Sequence, residues 1–131
     1  MKLITYTDGA SRGNPGPASL GVVVMDENGK VLREIGQILG TQTNNFAEYS
    51  AVVRALEECI ELGAVEVEMR MDSQLVVRQM LGEYKIKNSN IIPLANKVKE
   101  LLKQIKKAKF VHVPRAENAW PDKLANEALD A

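Results

Sequence analysis

Only one cysteine, Cys59, occurs among the 131 residues, so the chain forms no intramolecular disulfide and no cysteine-based metal cluster. That usage suits a reducing compartment, with the thiol expected in the core. No stretch approaches the roughly 20 apolar residues needed to span a bilayer, which excludes a membrane-spanning helix. The start, Met1-Lys2-Leu3-Ile4-Thr5-Tyr6, has none of the charged, apolar and small-residue segments of a secretory signal. The expectation is a cytoplasmic protein. No repeat, low-complexity tract or linker divides the chain. Residues 1–131 are therefore expected to form one domain, large enough to bury roughly two-thirds of the surface that the unfolded chain exposes. Net charge is missing too: 17 basic residues balance 17 acidic ones. The whole molecule thus lacks the global attraction to nucleic acid of a strongly basic binding domain.

The charge is unevenly distributed. Lys85, Lys87, Lys97, Lys99, Lys103, Lys106, Lys107, Lys109 and Arg115 crowd one stretch in which only Glu100 opposes them, while acids concentrate between Asp26 and Asp72. Such polarity either orients a polyanion or marks the solvated face of a helix. Strands are expected over Lys2 to Thr7, Leu20 to Met25 and Val31 to Leu39, the last two joined by a turn at Asp26-Glu27-Asn28-Gly29. Period-two alternation of Val65, Val67, Met69 and Met71 with Glu66, Glu68 and Arg70 gives a fourth strand, and Lys109 to Val113 a short fifth. Helices are expected from Ala47 to Leu62, stopped by Gly63, and from a Ser73 cap to about Met80. Two more are expected from an Asn90 cap through Ile105 and from an Asn118 cap onward. Strands grouped first and then interleaved with helices predict an α/β domain, a five-stranded mixed sheet with helices on both faces. Gly9 to Pro17 reads as a functional loop.

Four carboxylates stand out. Asp8 closes the first expected strand, where it is either a turn former or a site residue. Glu48 opens the helical stripe Ala51, Val52, Ala55 and Cys59, which is otherwise apolar, whereas a solvated glutamate belongs on the opposite face. Asp72 lies at a strand-to-helix junction, where helix capping is the alternative. Asp122 precedes Ala125, Asn126 and Leu129 by one turn, where attraction to a helix N-terminus is the alternative. All four sit at element ends that one fold can bring together. Clustered anions repel unless divalent cations neutralise them, and hard oxygen ligands favour magnesium or manganese. Two such ions suit phosphodiester hydrolysis by water.

The run Tyr6-Thr7-Asp8-Gly9-Ala10-Ser11-Arg12-Gly13-Asn14-Pro15-Gly16-Pro17 resembles the opening signature of type 1 ribonuclease H. Thr43-Asn44-Asn45-Phe46-Ala47-Glu48, Met71-Asp72-Ser73-Gln74, His112-Val113-Pro114-Arg115 and Asp122-Lys123-Leu124-Ala125-Asn126 resemble its later motifs, in order and over nearly the whole chain. The resemblance implies a ribonuclease H-like fold and a monomeric endonuclease that cuts the RNA strand of RNA–DNA hybrids, leaving a 3′-hydroxyl and a 5′-phosphate. It implies Asp8, Glu48, Asp72 and Asp122 as ligands of two Mg2+ ions, with Mn2+ as a substitute. It also implies Asn14, Asn44, Asn45 and Gln74, with Gly9, Ser11, Arg12 and Gly13 of the glycine-rich loop, as the grip on the hybrid. Short amides and exposed backbone groups suit a minor groove lined by ribose 2′-hydroxyls. Thr43 either binds a DNA phosphate or simply caps its helix.

Three features depart from the family pattern. Only Gly82-Glu83-Tyr84-Lys85-Ile86-Lys87-Asn88 stands where many members carry a long basic insertion. His112 lies in an expected strand, so the loop histidine of some relatives has no counterpart, and Arg115 is the candidate replacement as a phosphate-steadying cation. Ala119-Trp120-Pro121 precedes Asp122 where the family has polar helix formers, although proline is tolerated in a first turn. These departures keep open a hybrid-binding module without catalysis and, further off, a structural domain keeping only the fold.

Overall fold

A computed structural model describes all residues from Met1 to Ala131. The strands are β1 (Lys2–Ser11), β2 (Gly16–Asp26), β3 (Val31–Gln42), β4 (Glu66–Met71) and β5 (Lys107–His112). The helices are α1 (Asn44–Glu61), α2 (Gln74–Met80), α3 (Ile92–Leu102) and α4 (Ala119–Asp130), with a short 3-10 turn at Arg115–Glu117. The five strands form one mixed sheet in the order β3-β2-β1-β4-β5. Short turns make β1, β2 and β3 an antiparallel meander. The α1 crossover lays β4 parallel to β1, and α2 with α3 returns the chain to β5 parallel to β4. The expected α/β architecture is the one observed.

Two glycines show how helices reach both faces. Gly9 and its cross-strand partner Leu20 face α1: the space a Cβ on Gly9 would need is filled by the Ala47–Glu48 backbone. The neighbouring pair, Asp8 and Gly21, must face the other way because side chains alternate along a strand, and there Gly21 meets the Pro121 backbone of α4. The core on the α1 side joins Leu3, Leu20, Val22, Val67 and Met69 to Tyr49, Val52, Leu56, Val76 and Val98. Cys59 is buried in it as expected. The inward stripe of α1 is also as read, with Ala51, Val52, Ala55 and Cys59 all buried. Gly63, at φ +83°, follows the Leu62 cap.

Several boundaries differ. β1 continues through Gly9 to Ser11 and β2 begins at Gly16, so most of the expected Gly9 to Pro17 loop is strand and Asp8 lies inside β1. Pairing with β2 extends the strand past the point where apolar alternation fades. α3 ends at Leu102 and has no side-chain cap from Asn90; Ile91 holds the cap position and Pro93 sets the first turn. α2 begins from the Ser73 cap as read, its hydroxyl accepting from the Val76 amide at 3.3 Å.

Candidate active site

Parallel register brings the first two carboxylates together. The last β1–β4 pair is Thr7 with Met71, so the next residue on each strand is an aspartate, Asp8 on β1 and Asp72 just past β4. Glu48 arrives from the first turns of α1, which lies directly on Gly9. Asp122 arrives from the first turn of α4, which lies on Gly21. All four line one polar cleft of about 270 Å3, together with Gly9, Ala10, Ser11, Asn44, Arg115 and Asn126.

The electrostatics record how close these groups are. Burial, followed by the charge of Asp72, pushes the Asp8 carboxyl up to about 8; a hydrogen bond with Asp122 and the charges of Asp122 and Glu48 act in the same direction. Burial also lifts Glu48 to about 7, with Asp72 adding to the rise, while hydrogen bonds from Ser73 and Asn44 and the charge of Arg115 oppose it. Arg115 is therefore the cation within reach of the cluster. In the side-chain conformations present, no three acidic groups close into a formed metal cage. The donor set is nonetheless one of hard carboxylate oxygens, and burial with neighbouring charge favours protons on Asp8 and Glu48 that a divalent cation would displace.

Of the expected hybrid-contacting residues, Gly9, Ser11 and Asn44 line the same cleft, and several of the set are tied to one another. Asn14, exposed in the β1–β2 turn, accepts the Asn44 amide hydrogen at Oδ1 (3.0 Å), which leaves its NH2 as the free donor. Asn44 in turn donates from Nδ2 to Glu48 (3.3 Å). Thr43 accepts the Phe46 amide hydrogen at 3.1 Å, so the capping alternative is realised. Asn45 sits in the first turn of α1 and Gln74 at the start of α2. With its amide oriented to suit the surroundings, Gln74 accepts from Arg78 at 3.0 Å. The Ser11 hydroxyl lies between the carbonyls of Gly13 and Gln42. Gly13 has φ +115°, a conformation that favours glycine, and stands exposed. Gly9 is buried against α1. Arg12 does not line the cleft and is paired with Asp130 at 2.6 Å. His112 ends β5 and borders a different groove, with Gln74, Val77 and Arg78.

Two residues near the site carry more than the sequence suggested. Asn118, read as a helix cap, makes no side-chain cap bond. Its side chain is fully buried, and Nδ2 donates to the Thr7 carbonyl at 2.8 Å, joining the strand of Asp8 to the helix of Asp122. Asn126, one turn after Asp122, donates from Nδ2 to the Asp122 carbonyl at 2.9 Å and to its carboxylate at 3.3 Å. Pro121 is buried at the third position of α4, where its missing N–H costs no helical bond. None of the lysines from Lys85 to Lys109 is held in an ion pair. Lys85 and Lys99 flank Tyr84 in a groove of about 420 Å3 at the end of α2.

Comparison with known proteins gives consistent matches. The model of a family described as reverse transcriptase-like matches residues 6–128. The chain is 43% identical over its full length to a bifunctional protein of Mycobacterium tuberculosis, of which it covers 36%. It is 44% identical over 95% of its length to a ribonuclease HI of Halobacterium salinarum, of which it covers 63%. The chain thus spans well under two-thirds of the first of these and just under two-thirds of the second. It also covers 96% of a Clostridium botulinum ribonuclease H that is 36% identical. Among solved structures, the Halobacterium salinarum ribonuclease H1 superposes with a TM-score of 0.96 over 99% of this chain and 98% of the other, at 42% identity. A ribonuclease H1 designated LC11, crystallised in complex with an RNA/DNA hybrid, gives a TM-score of 0.93 over 98% of this chain and 96% of the other, at 47% identity.

Proposed function

This chain belongs to the type 1 ribonuclease H family, and from that premise we propose that it is a metal-dependent endonuclease that hydrolyses the RNA strand of RNA–DNA hybrids. One observation carries the reading. Four carboxylates from four separate elements line a single cleft, and burial with mutual repulsion raises Asp8 to about 8. A protein with no use for cations gains nothing from such a cluster, which costs stability at neutral pH.

Asp8, on which all three other acids act, would with Glu48, Asp72 and Asp122 hold two Mg2+ ions, and Mn2+ has the same ligand preferences. Ions held there would supply charge neutralisation and activate water for phosphodiester hydrolysis, to give 3′-hydroxyl and 5′-phosphate ends. The chain's own groups do the rest. Asn14, Asn45 and Gln74 offer amides to the minor groove, where the 2′-hydroxyl distinguishes RNA from DNA. Asn44 links that grip to the site through its bond to Glu48. Arg115 steadies phosphate charge at the cleft mouth. The unpaired lysines on and around α3 add a salt-sensitive attraction to the duplex backbone. All four carboxylates come from one chain, which supports action as a monomer, and a single buried thiol suits the cytoplasm.

The test is a cleavage assay on end-labelled hybrid, duplex RNA and duplex DNA, with and without magnesium. Magnesium-dependent cutting of the hybrid's RNA strand is expected. Retention of uncut hybrid under all conditions would instead identify a binding module.

A further inference from the structure

We propose that Arg12 is a positioning residue that braces the hybrid-reading turn against the C-terminal end of α4, so that the grip on substrate depends on Asp130, a carboxylate outside the catalytic cleft. The inference rests on the hybrid-cleaving reading given above. Residues Arg12 to Pro15 form the exposed turn between β1 and β2, and Asn14 is at its tip. Three side-chain ties hold that turn in place. Ser11 reaches the Gln42 carbonyl at the end of β3 (2.9 Å), and Asn14 accepts the Asn44 amide hydrogen at the start of α1 (3.0 Å). Arg12 supplies the third: Nη1 pairs with Asp130 Oδ1 at 2.6 Å, and Nη2 reaches the Asn126 carbonyl at 3.5 Å.

The abutment is firm. Ser19 donates to the Ala125 carbonyl at 2.6 Å, and that bond is buried. Gly36 admits the Leu124 carbonyl to 2.6 Å of where a Cβ would stand. The Arg12 backbone is fixed as well, its N–H donating to the Pro17 carbonyl at 2.8 Å. Arg12 thus joins a rigid strand end to a docked helix, and its guanidinium, already matched by a carboxylate, is not a free cation for a phosphate. Asn126 also donates to Asp122, so the same turn of α4 serves both the brace and the fourth carboxylate.

The experiment measures hybrid cleavage and binding by the full chain with magnesium, for wild type, Arg12→Ala, Asp130→Ala, the double variant and the swap Arg12→Asp/Asp130→Arg. An exposed pair of this kind has a modest effect, so Asp130→Ala is expected to raise KM about two- to fivefold with kcat retained. Arg12→Ala should match it, the double variant should be no worse, and the swap should recover most of the loss. The difference from wild type should shrink at high salt. Amide exchange at Arg12 and Asn44, whose N–H groups are held by the Pro17 carbonyl and by Asn14 Oδ1, needs no substrate and should quicken in Asp130→Ala. The proposal is overturned if Asp130→Ala leaves KM and that exchange unchanged. It is equally overturned if Arg12→Ala alone weakens binding and lowers the salt slope by about one, the mark of a direct phosphate contact. A wild type that cuts no hybrid would refute the function, while the exchange measurement would still decide the brace.

Discussion

The Pro121 carbonyl occupies the volume that a Cβ on Gly21 would need, so β2 and the first turn of α4 meet backbone to backbone. Gly21 is the cross-strand partner of Asp8, and Asp122 follows Pro121 in the chain. That contact therefore sets the height at which the fourth carboxylate stands above the first. Gly21→Ala should force the helix off the sheet, costing about 1–3 kcal/mol by overpacking and lowering cleavage more than the loss of folded protein explains. Urea unfolding beside specific activity at matched folded fraction separates the two effects. Full activity in Gly21→Ala would show that α4 does not need this seat.

Asn118 makes a second tie between the same elements. Its Nδ2 donates to the Thr7 carbonyl, one residue before Asp8, and its Oδ1 is buried without a protein partner. Asn118→Asp keeps the shape but replaces the donor with an acceptor facing a carbonyl. It should cost at least about 1–3 kcal/mol and raise the magnesium concentration needed for half-maximal cleavage. If Asn118→Asp lowers stability but leaves that concentration where it was, Asn118 only holds the fold together.

The raised acids make a prediction about pH. A carboxylate whose folded pKa lies above its unfolded value binds protons more tightly in the native state. The metal-free protein should therefore lose stability as pH rises from about 4 toward 8, the span between the ordinary values and those of Glu48, about 7, and Asp8, about 8. A bound divalent cation removes the penalty, so the rise in Tm on adding magnesium should be larger at pH 8 than at pH 5, by a few degrees. Thermal melts with magnesium and with chelator at both values check this. An equal rise at both would mean that the cluster does not bind the ion.

Much of this site was legible because its signals are local. Glu48 betrayed itself by standing in line with Ala51, Val52, Ala55 and Cys59, and Asp72 by following a strand of clear alternation. What the sequence concealed depends on pairing across the chain. β1 runs on to Ser11 because β2 hydrogen-bonds to it that far, and no periodicity within Gly9 to Ser11 announces this. Asn118 looked like a cap because asparagine before a helix usually is one, whereas its Nδ2 is directed at the Thr7 carbonyl and its Oδ1 accepts no helix N–H. Arg12 was expected only as part of the glycine-rich loop that grips the hybrid, and its pairing with Asp130 was hidden because that residue lies near the far end of the sequence. The Trp120-Pro121 departure leaves the helix intact. Pro121 falls where α4 needs no N–H, and the Trp120 indole is tied at the surface to Glu34 at 2.6 Å.

If four dispersed acids meet to hold cations that cut RNA, cleavage must follow both the magnesium concentration and the Asp8 carboxylate. Cleavage of a hybrid labelled on its RNA strand should be followed over a range of magnesium concentrations for wild type and Asp8→Asn, with circular dichroism confirming that both are folded. Wild-type cutting should require magnesium, whereas Asp8→Asn should stay folded, melt higher than wild type in chelator at pH 8, and fall to background at every concentration. Cleavage by wild type in chelator, or a fully active Asp8→Asn, would contradict that role for the acids.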